Sequence, residues 1–344
     1  MIYVFPAIFG FVLTLVFVLF ALKFFPKIGL MDRPHLYGLK REAIPYYGGL
    51  IIYTAFLISV LVFVPMNTHV LGLLLAASMV MFIGFLDDMW RISPLIRLIV
   101  QFVAGVVLFL FGIGILSVKV PFLGVLDFTG FIFEGFFVLS GLFTVFWVMT
   151  ILNSMNFVDG VSGLTSGVTF VASLTIFALS INSSLHENPS SQVAVATIAI
   201  ILAAISLAFF MFDFPSPKIL MGDTGSTFLG FLVATLAIFS GGKVATAFLV
   251  LGLPILDMVW VVLRRVFVDK KKFWHGDLKH LHHRLMDLGI SQRKVVSLYL
   301  FITAVFGFAA VSFVSLQQKF FMIMALIVLM ILLATALILL PKRR

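Results

Sequence analysis

The chain has 344 residues, of which 62% are hydrophobic and only 11% charged, with a formal net charge of +9 and no cysteine. An ordinary soluble domain carries about 25% charged residues, so charges this sparse could not cover the apolar surface, and a soluble globular fold is set aside. Disulfides, thiolate nucleophiles and Cys-ligated metals are excluded with it, and basic residues lying between apolar stretches read as membrane orientation signals rather than a nucleic-acid surface.

A helix crossing the ~30 Å hydrocarbon layer needs about 20 mostly apolar residues. Eleven such stretches follow in chain order, at roughly 3–25, 46–65, 70–88, 94–115, 134–152, 162–181, 191–212, 224–240, 244–263, 295–315 and 320–340. The first is longer than a signal-peptide core and lacks a basic flank and a small-residue cleavage pattern, so it reads as a retained span. An odd number puts the two termini on opposite sides. Of the 23 Lys and Arg residues, only Lys119, Lys243 and Lys319 fall on the face of the loops after even-numbered spans. That asymmetry predicts an N-terminus outside and a cytoplasmic C-terminus. The expected fold is therefore an all-α polytopic membrane protein of about 11 transmembrane helices, a single domain over 1–344. The stretch Ser117 to Glu134 alternates apolar and polar residues around Val118-Lys119-Val120 and Leu126-Asp127-Phe128, which predicts a short extracytoplasmic β-hairpin. The polar stretch Arg264 to Lys294 is expected to hold a short interfacial helix near Val266 to Phe273.

The residues able to carry chemistry all fall on the predicted cytoplasmic side. Lys40 and Arg41 precede Ile44-Pro45-Tyr46-Tyr47-Gly48-Gly49; as bare charges they are equally membrane anchors. Asp87 and Asp88 close the third span, where carboxylates are costly unless they face water, a cation or each other. Standing alone, the pair would equally be a solvated helix end. Arg97 and Gln101 open the fourth span. Asn153, Asn156 and Asp159 follow the fifth at intervals of three, which puts three polar side chains on one helical face; Gly160 and Gly163 leave room for a phosphate or a base ring. A helix cap explains Asp159-Gly160 but not the two asparagines. Asp223, in Met221-Gly222-Asp223-Thr224-Gly225-Ser226, suits a hard cation, because Mg²⁺ takes one or two carboxylates plus phosphates and water; an N-cap is the plain alternative. His280, His282, His283 and Arg284 form a basic run with no tidy zinc set, better suited to phosphate oxygens.

The order Pro-x-x-Gly-Gly, Asp-Asp, Asn-x-x-Asn-x-x-Asp-Gly, Gly-Asp-x-Gly-Ser, His-x-His-His resembles the polyprenyl-phosphate N-acetylhexosamine-1-phosphate transferase family. His280-Leu281-His282-His283 is similar to the WecA/TagO-like branch; the MraY-like branch has three consecutive histidines. Ser162 and Leu278 depart from the family pattern, which has an acid and a base there. The resemblance implies a UDP-N-acetylhexosamine donor, most simply UDP-GlcNAc, an undecaprenyl phosphate acceptor, Mg²⁺ or Mn²⁺, and UMP as product. It implies that Asp223 and Asn156 bind the metal and that Asp87, Asp88 and Asp223 are catalytic. Asn153, Asp159, Gly160, Lys40, Arg97, His280, His282, His283 and Arg284 would contact substrate. A bacterial inner-membrane location and a homodimer are further expectations from the family. The neighbouring readings are transfer of phospho-MurNAc-pentapeptide and, more remotely, a membrane transporter, although no internal repeat supports the latter. The acceptor phosphate has its second pKa near about 6 and is mostly dianionic at neutral pH, so Asp87 and Asp88 are expected to position it and bind cations more than to take its proton.

Overall fold

The computed structural model describes residues 1–34, 41–120, 124–182, 192–239, 244–270, 280–313 and 315–339, with the backbone alone at 244 and 337–339. The helices in chain order are α1 (Val4–Phe24), α2 (Gly48–Phe63), α3 (Thr68–Trp90), α4 (Pro94–Leu110), α5 (Val138–Val158), α6 (Leu164–Ile181), α7 (Val193–Asp213), α8 (Gly222–Phe239), α9 (Val244–Leu263), α10 (Leu281–Asp287), α11 (Gln292–Ser312) and α12 (Leu316–Leu339). Among the described residues, nine of these are long and apolar enough to span a membrane. With the shorter apolar helices α2 and α4 they make up the eleven expected spans, and the protein is an all-α polytopic membrane protein. In hydrocarbon every backbone polar group must be paired within the chain, and continuous helices achieve this.

Two boundaries differ from the sequence expectation for local reasons. Helix α4 stops at Leu110, because Gly112 takes a left-handed φ of 82° and its N–H turns back to the Phe109 carbonyl at 2.9 Å. Helix α5 starts later, at Val138, and runs on to Val158, so Asn153 and Asn156 sit on helix rather than in a loop. Their side chains find partners without leaving it. The predicted hairpin is present as β1 (Ser117–Val120) paired antiparallel with β2 (Gly124–Asp127). A second, smaller pair, β3 (Ile132–Phe133) with β4 (Phe136–Phe137), was not foreseen. In place of the expected interfacial helix, α9 continues into a π-helical turn, Arg264–Val268; the remainder of that expectation, from 271 on, lies outside the described residues, as does Lys40.

Helix α8 is the axis of the bundle, buried along nearly its whole length and packed on α2, α3, α5 and α6. Close packing in a membrane relies on small residues, since apolar burial alone does not distinguish protein from lipid. Gly49 of α2 lies directly on the backbone of Thr224 and Gly225, and a Cβ on Gly84 of α3 would come 2.8 Å from the Thr224 Cα. Both contacts press α2 and α3 onto the first turn of α8. Helix α1 shows the outer arrangement: Gly10, Thr14, Val18 and Ala21 face inward, against α7, while Phe5, Ile8, Val12, Val16 and Leu19 are exposed. The packing gathers the C-terminal ends of α3, α5 and α9 with the N-terminal ends of α4, α8 and α10.

Candidate active site

The loop between α3 and α4 is three residues long, so the chain reverses at once and lays the second turn of α4 over the end of α3. Arg91 in a left-handed conformation (φ 52°) ends α3, and Ser93 caps α4 by accepting from the Ile96 N–H at 3.4 Å, with Pro94 at the first helical position. The consequence is a direct contact. Arg97 Nη1 lies 2.5 Å from Asp87 Oδ2 and 2.6 Å from Asp223 Oδ2. Carboxylates of two different helices thus converge on one nitrogen.

Asp88, its neighbour in sequence, does something else. Its Oδ1 accepts from the Tyr46 hydroxyl and the Asp223 N–H, both at 2.9 Å; its Oδ2 accepts from the Thr224 N–H at 3.0 Å and the Thr224 hydroxyl at 2.5 Å. A carboxylate has about four lone-pair sites, and all are taken. Asp88 is the cap of α8, supplied from another helix, and satisfies N–H groups that the first turn leaves open. Gly222, at φ 70°, makes room for it: a Cβ there would fall on the Asp88 carboxylate. Burial, and the charge of Asp88 beside it, push the Tyr46 phenol well above the usual tyrosine value, so it stays a donor.

These groups border a polar cavity of about 550 Å³ lined by Asp32, Arg33, Tyr46, Tyr47, Asp87, Asp88, Trp90, Arg91 and Asp223, among others. Its flank is held by Asp32, which accepts from the Ile44 N–H at 2.7 Å and pairs with Arg41 at 2.5 Å. On the other side of Arg97 lies an apolar cleft of about 340 Å³ between α4, α5 and α9. Leu98, Phe146, Met149, Phe157, Met258 and Val262 line it, and Arg97, Gln101 and Asn153 are its polar groups along with Thr150. Asn153 donates to Gln101 Oε1 at 2.9 Å and to the Met149 carbonyl at 2.8 Å. Asn156 donates to the Ser226 hydroxyl at 3.0 Å, joining α5 to the first turn of α8.

The histidine segment closes the same end of the bundle. His280 and His282 stack nearly parallel, with centroids 5.6 Å apart, and His283 stands 4.3 Å from His282. A Cβ on Gly160 would come 3.0 Å from Nε2 of both His282 and His283, so the loop after α5 touches two of the three rings. His282 is fully buried, with neither ring nitrogen hydrogen-bonded among the described residues. Burial, then the nearby His283 and His280, lower its pKa well below the ordinary imidazole value, so this ring is neutral. Burial, with repulsion from Asp213 and Asp223, holds the Asp159 carboxyl well above the usual range. Arg284 is placed apart: it lines an apolar pocket of about 260 Å³ between α9, α10 and α12, together with Trp260, Leu281 and Met330.

Two supporting carboxylates escaped the sequence reading. Asp213, ending α7, accepts from the Gly163 N–H at 2.9 Å and the Ser166 hydroxyl at 2.8 Å, fixing the turn that follows Asp159. Asp257 of α9, buried, accepts from the Leu281 N–H at 2.8 Å and lies 3.3 Å from His280 Nδ1, fixing the start of α10. The signal for both was present, since a lone carboxylate within an apolar span is functional by default.

The model of glycosyl transferase family 4 matches residues 70–241, which hold Asp87, Asp88, Arg97, both asparagines, Asp159 and Asp223. The chain is 31% identical over 297 residues to an undecaprenyl-phosphate alpha-N-acetylglucosaminyl 1-phosphate transferase of Escherichia coli K12, covering 83% of this chain and 76% of the other. It is 28% identical over 292 residues to a probable undecaprenyl-phosphate N-acetylglucosaminyl 1-phosphate transferase of Bacillus subtilis, covering 83% and 77%. A decaprenyl-phosphate N-acetylglucosaminephosphotransferase of Mycobacterium tuberculosis H37Rv is 30% identical over 268 residues, covering 72% and 64%. The family match spans the acid cluster and the central helix together, and the chain belongs to the family of polyprenyl-phosphate N-acetylglucosamine-1-phosphate transferases.

Proposed function

We propose that this enzyme transfers N-acetylglucosamine-1-phosphate from UDP-GlcNAc to undecaprenyl phosphate, giving undecaprenyl-diphosphate-GlcNAc and UMP, at the cytoplasmic face of the bacterial plasma membrane. The reaction would be the first membrane step of a cell-envelope glycan. One observation carries this reading: the shared cation contact of Asp87 and Asp223 stands between a polar cavity and an apolar cleft. A water-soluble anionic donor and a lipid-borne anionic acceptor need such a junction, because their phosphates repel unless positive charge lies between them.

The donor set fits a hard divalent cation. Among the described residues no three acids or histidines stand together as a metal cage. Two converging carboxylates match Mg²⁺, which takes one or two carboxylates and completes its shell with water and substrate phosphates. Asp223 and Asp87 would hold it, with the Asn156 carbonyl oxygen as a further hard donor. When bound, the ion supplies charge neutralisation for the donor diphosphate and the departing UMP.

The chain's own residues set up the rest. An oxygen of the acceptor phosphate attacks the sugar-linked phosphorus of the donor; that P–O bond forms as the bond from the same phosphorus to the UMP oxygen breaks. Arg97, at the head of the cleft, receives the acceptor phosphate, and the cleft walls hold its chain. The acceptor needs no strong base, since its second proton is largely gone at neutral pH. Asp88 keeps the first turn of α8 in place. His280 and His283 supply donors toward the diphosphate, and neutral His282 packs behind them. Purified protein, UDP-GlcNAc, undecaprenyl phosphate and Mg²⁺ should give UMP and a lipid heavier by one GlcNAc-phosphate. Release of inorganic phosphate, or turnover only with UDP-MurNAc-pentapeptide, would overturn the assignment.

A further inference from the structure

Arg97 occupies a point that the reading above assigns to a metal. One of its nitrogens meets Asp87 and Asp223 within 2.6 Å, and its Nε and other Nη have no partner among the described residues. Among the described residues it is also the only charged one lining the α4–α5–α9 cleft. A guanidinium that spends one nitrogen on two carboxylates leaves most of its five donors unspent. Those unspent donors suit a phosphate, which guanidinium binds bidentately. A divalent cation and a guanidinium repel, so they cannot share the contact between the two aspartates.

We propose that Arg97 is an exchangeable internal cation. It neutralises Asp87 and Asp223 while the site is empty, yields them when a divalent cation binds, and then turns to the acceptor phosphate at the head of the cleft. The proposal rests on the metal reading given under the proposed function. It makes metal and lipid phosphate bind cooperatively, because each favours the conformer of Arg97 that the other needs, and such coupling is reciprocal. The motion required is that of one long side chain, 28% exposed, on a helix whose backbone stays fixed by its Ser93 cap.

The test is Mn²⁺ binding to the purified, metal-stripped protein in detergent, followed by electron paramagnetic resonance, with and without undecaprenyl phosphate and with no nucleotide present. For the wild type, undecaprenyl phosphate should tighten Mn²⁺ binding severalfold. Arg97→Gln should bind Mn²⁺ about tenfold more tightly than the wild type when alone, the size of one lost charge-assisted contact, and should lose most of the coupling. It should also melt at a lower temperature in EDTA and be rescued by Mn²⁺. Should the Gln variant fail to fold, Arg97→Lys, a shorter group that meets the two acids less well, should still bind Mn²⁺ severalfold more tightly than the wild type. Equal Mn²⁺ affinities in wild type and variant, or undiminished coupling in Arg97→Gln, would overturn the exchange while leaving the metal site standing. No Mn²⁺ binding by any of the proteins would instead overturn the metal reading and the exchange with it.

Discussion

Asp88→Asn separates a carboxylate that caps α8 from one that takes a proton. The least disruptive amide keeps its oxygen toward Thr224 and turns its nitrogen toward Tyr46, whose hydroxyl rotates to accept. The Asp223 N–H then faces an amide N–H instead of an oxygen. Leaving that part-buried donor unpaired costs about 1–3 kcal/mol, and each of the three surviving bonds weakens by about 1 kcal/mol as it loses charge assistance. The contacts of Asp88 thus lose about 4–6 kcal/mol in all, most of it at the first turn of α8. Asp223 moves with that turn, so kcat should fall at least about 100-fold, the equivalent of ~2.7 kcal/mol in the transition state. The assay is UMP release at saturating substrates between pH 6 and 9.5, paired with a melting curve in detergent. Activity should be low at every pH and the melting temperature reduced. A variant that melts with the wild type and recovers its rate as the pH rises would refute the cap and identify Asp88 as a proton acceptor.

Lowering the His282 pKa gives the stability a pH slope of known sign: an unfolded chain takes up a proton near about pH 6.5 that the buried ring refuses, so the melting temperature falls as the pH drops below that value. His282→Gln should flatten part of the fall, and an unchanged slope would mean that other groups carry it. Gly160→Ala places a Cβ 3.0 Å from two imidazole nitrogens, and the overpacking, about 1–3 kcal/mol, should raise the KM for UDP-GlcNAc while the fold survives; an unchanged KM would detach this loop from the donor. Asp257→Ala leaves the Leu281 N–H without an acceptor and His280 unpinned, so kcat should drop about tenfold or more from a loss of about 1–3 kcal/mol, with Asp257→Asn in between because it still accepts from Leu281. The chain has no cysteine, so Lys119→Cys and Lys218→Cys report topology directly; a membrane-impermeant maleimide applied to intact cells should label the first and spare the second, and the reverse pattern would place the site outside.

The span count was legible because hydrocarbon imposes one length and one composition on every crossing. The end of α5 was not, because hydropathy treats Asn153 and Asn156 as exits from the membrane. Their side chains are in fact paired with Gln101, Met149 and Ser226, so the helix continues through them. The acid cluster was legible as a set of residue types on one side, since Asp87, Asp88 and Asp223 fall in motifs. Their separate contacts were not, because these depend on the close approach of α2 and α3 to α8 that Gly49 and Gly84 permit. The partners of Tyr46 and Asp257 were invisible for a related reason. Each acts through a partner 42 or 23 positions away, and nothing local in sequence announces that distance.

Two adjacent aspartates invite treatment as a dyad, sharing a proton or a metal. The geometry argues for a division instead. On α3, successive residues are about 100° apart around the axis, so Asp87 and Asp88 cannot both face the same point. Asp88 faces α8 and is consumed by four donors there; Asp87 faces α4 and meets Arg97. The carboxylate that joins Asp87 at the cation comes from Asp223, whose own N–H is held by Asp88. The second aspartate of the pair thus positions the third, and the first and third together present the charge. An Asp-Asp pair at the end of a helix is therefore useful for the very reason that its members point apart: one locks the neighbouring helix in register, and the other faces the ligand that this register brings within reach.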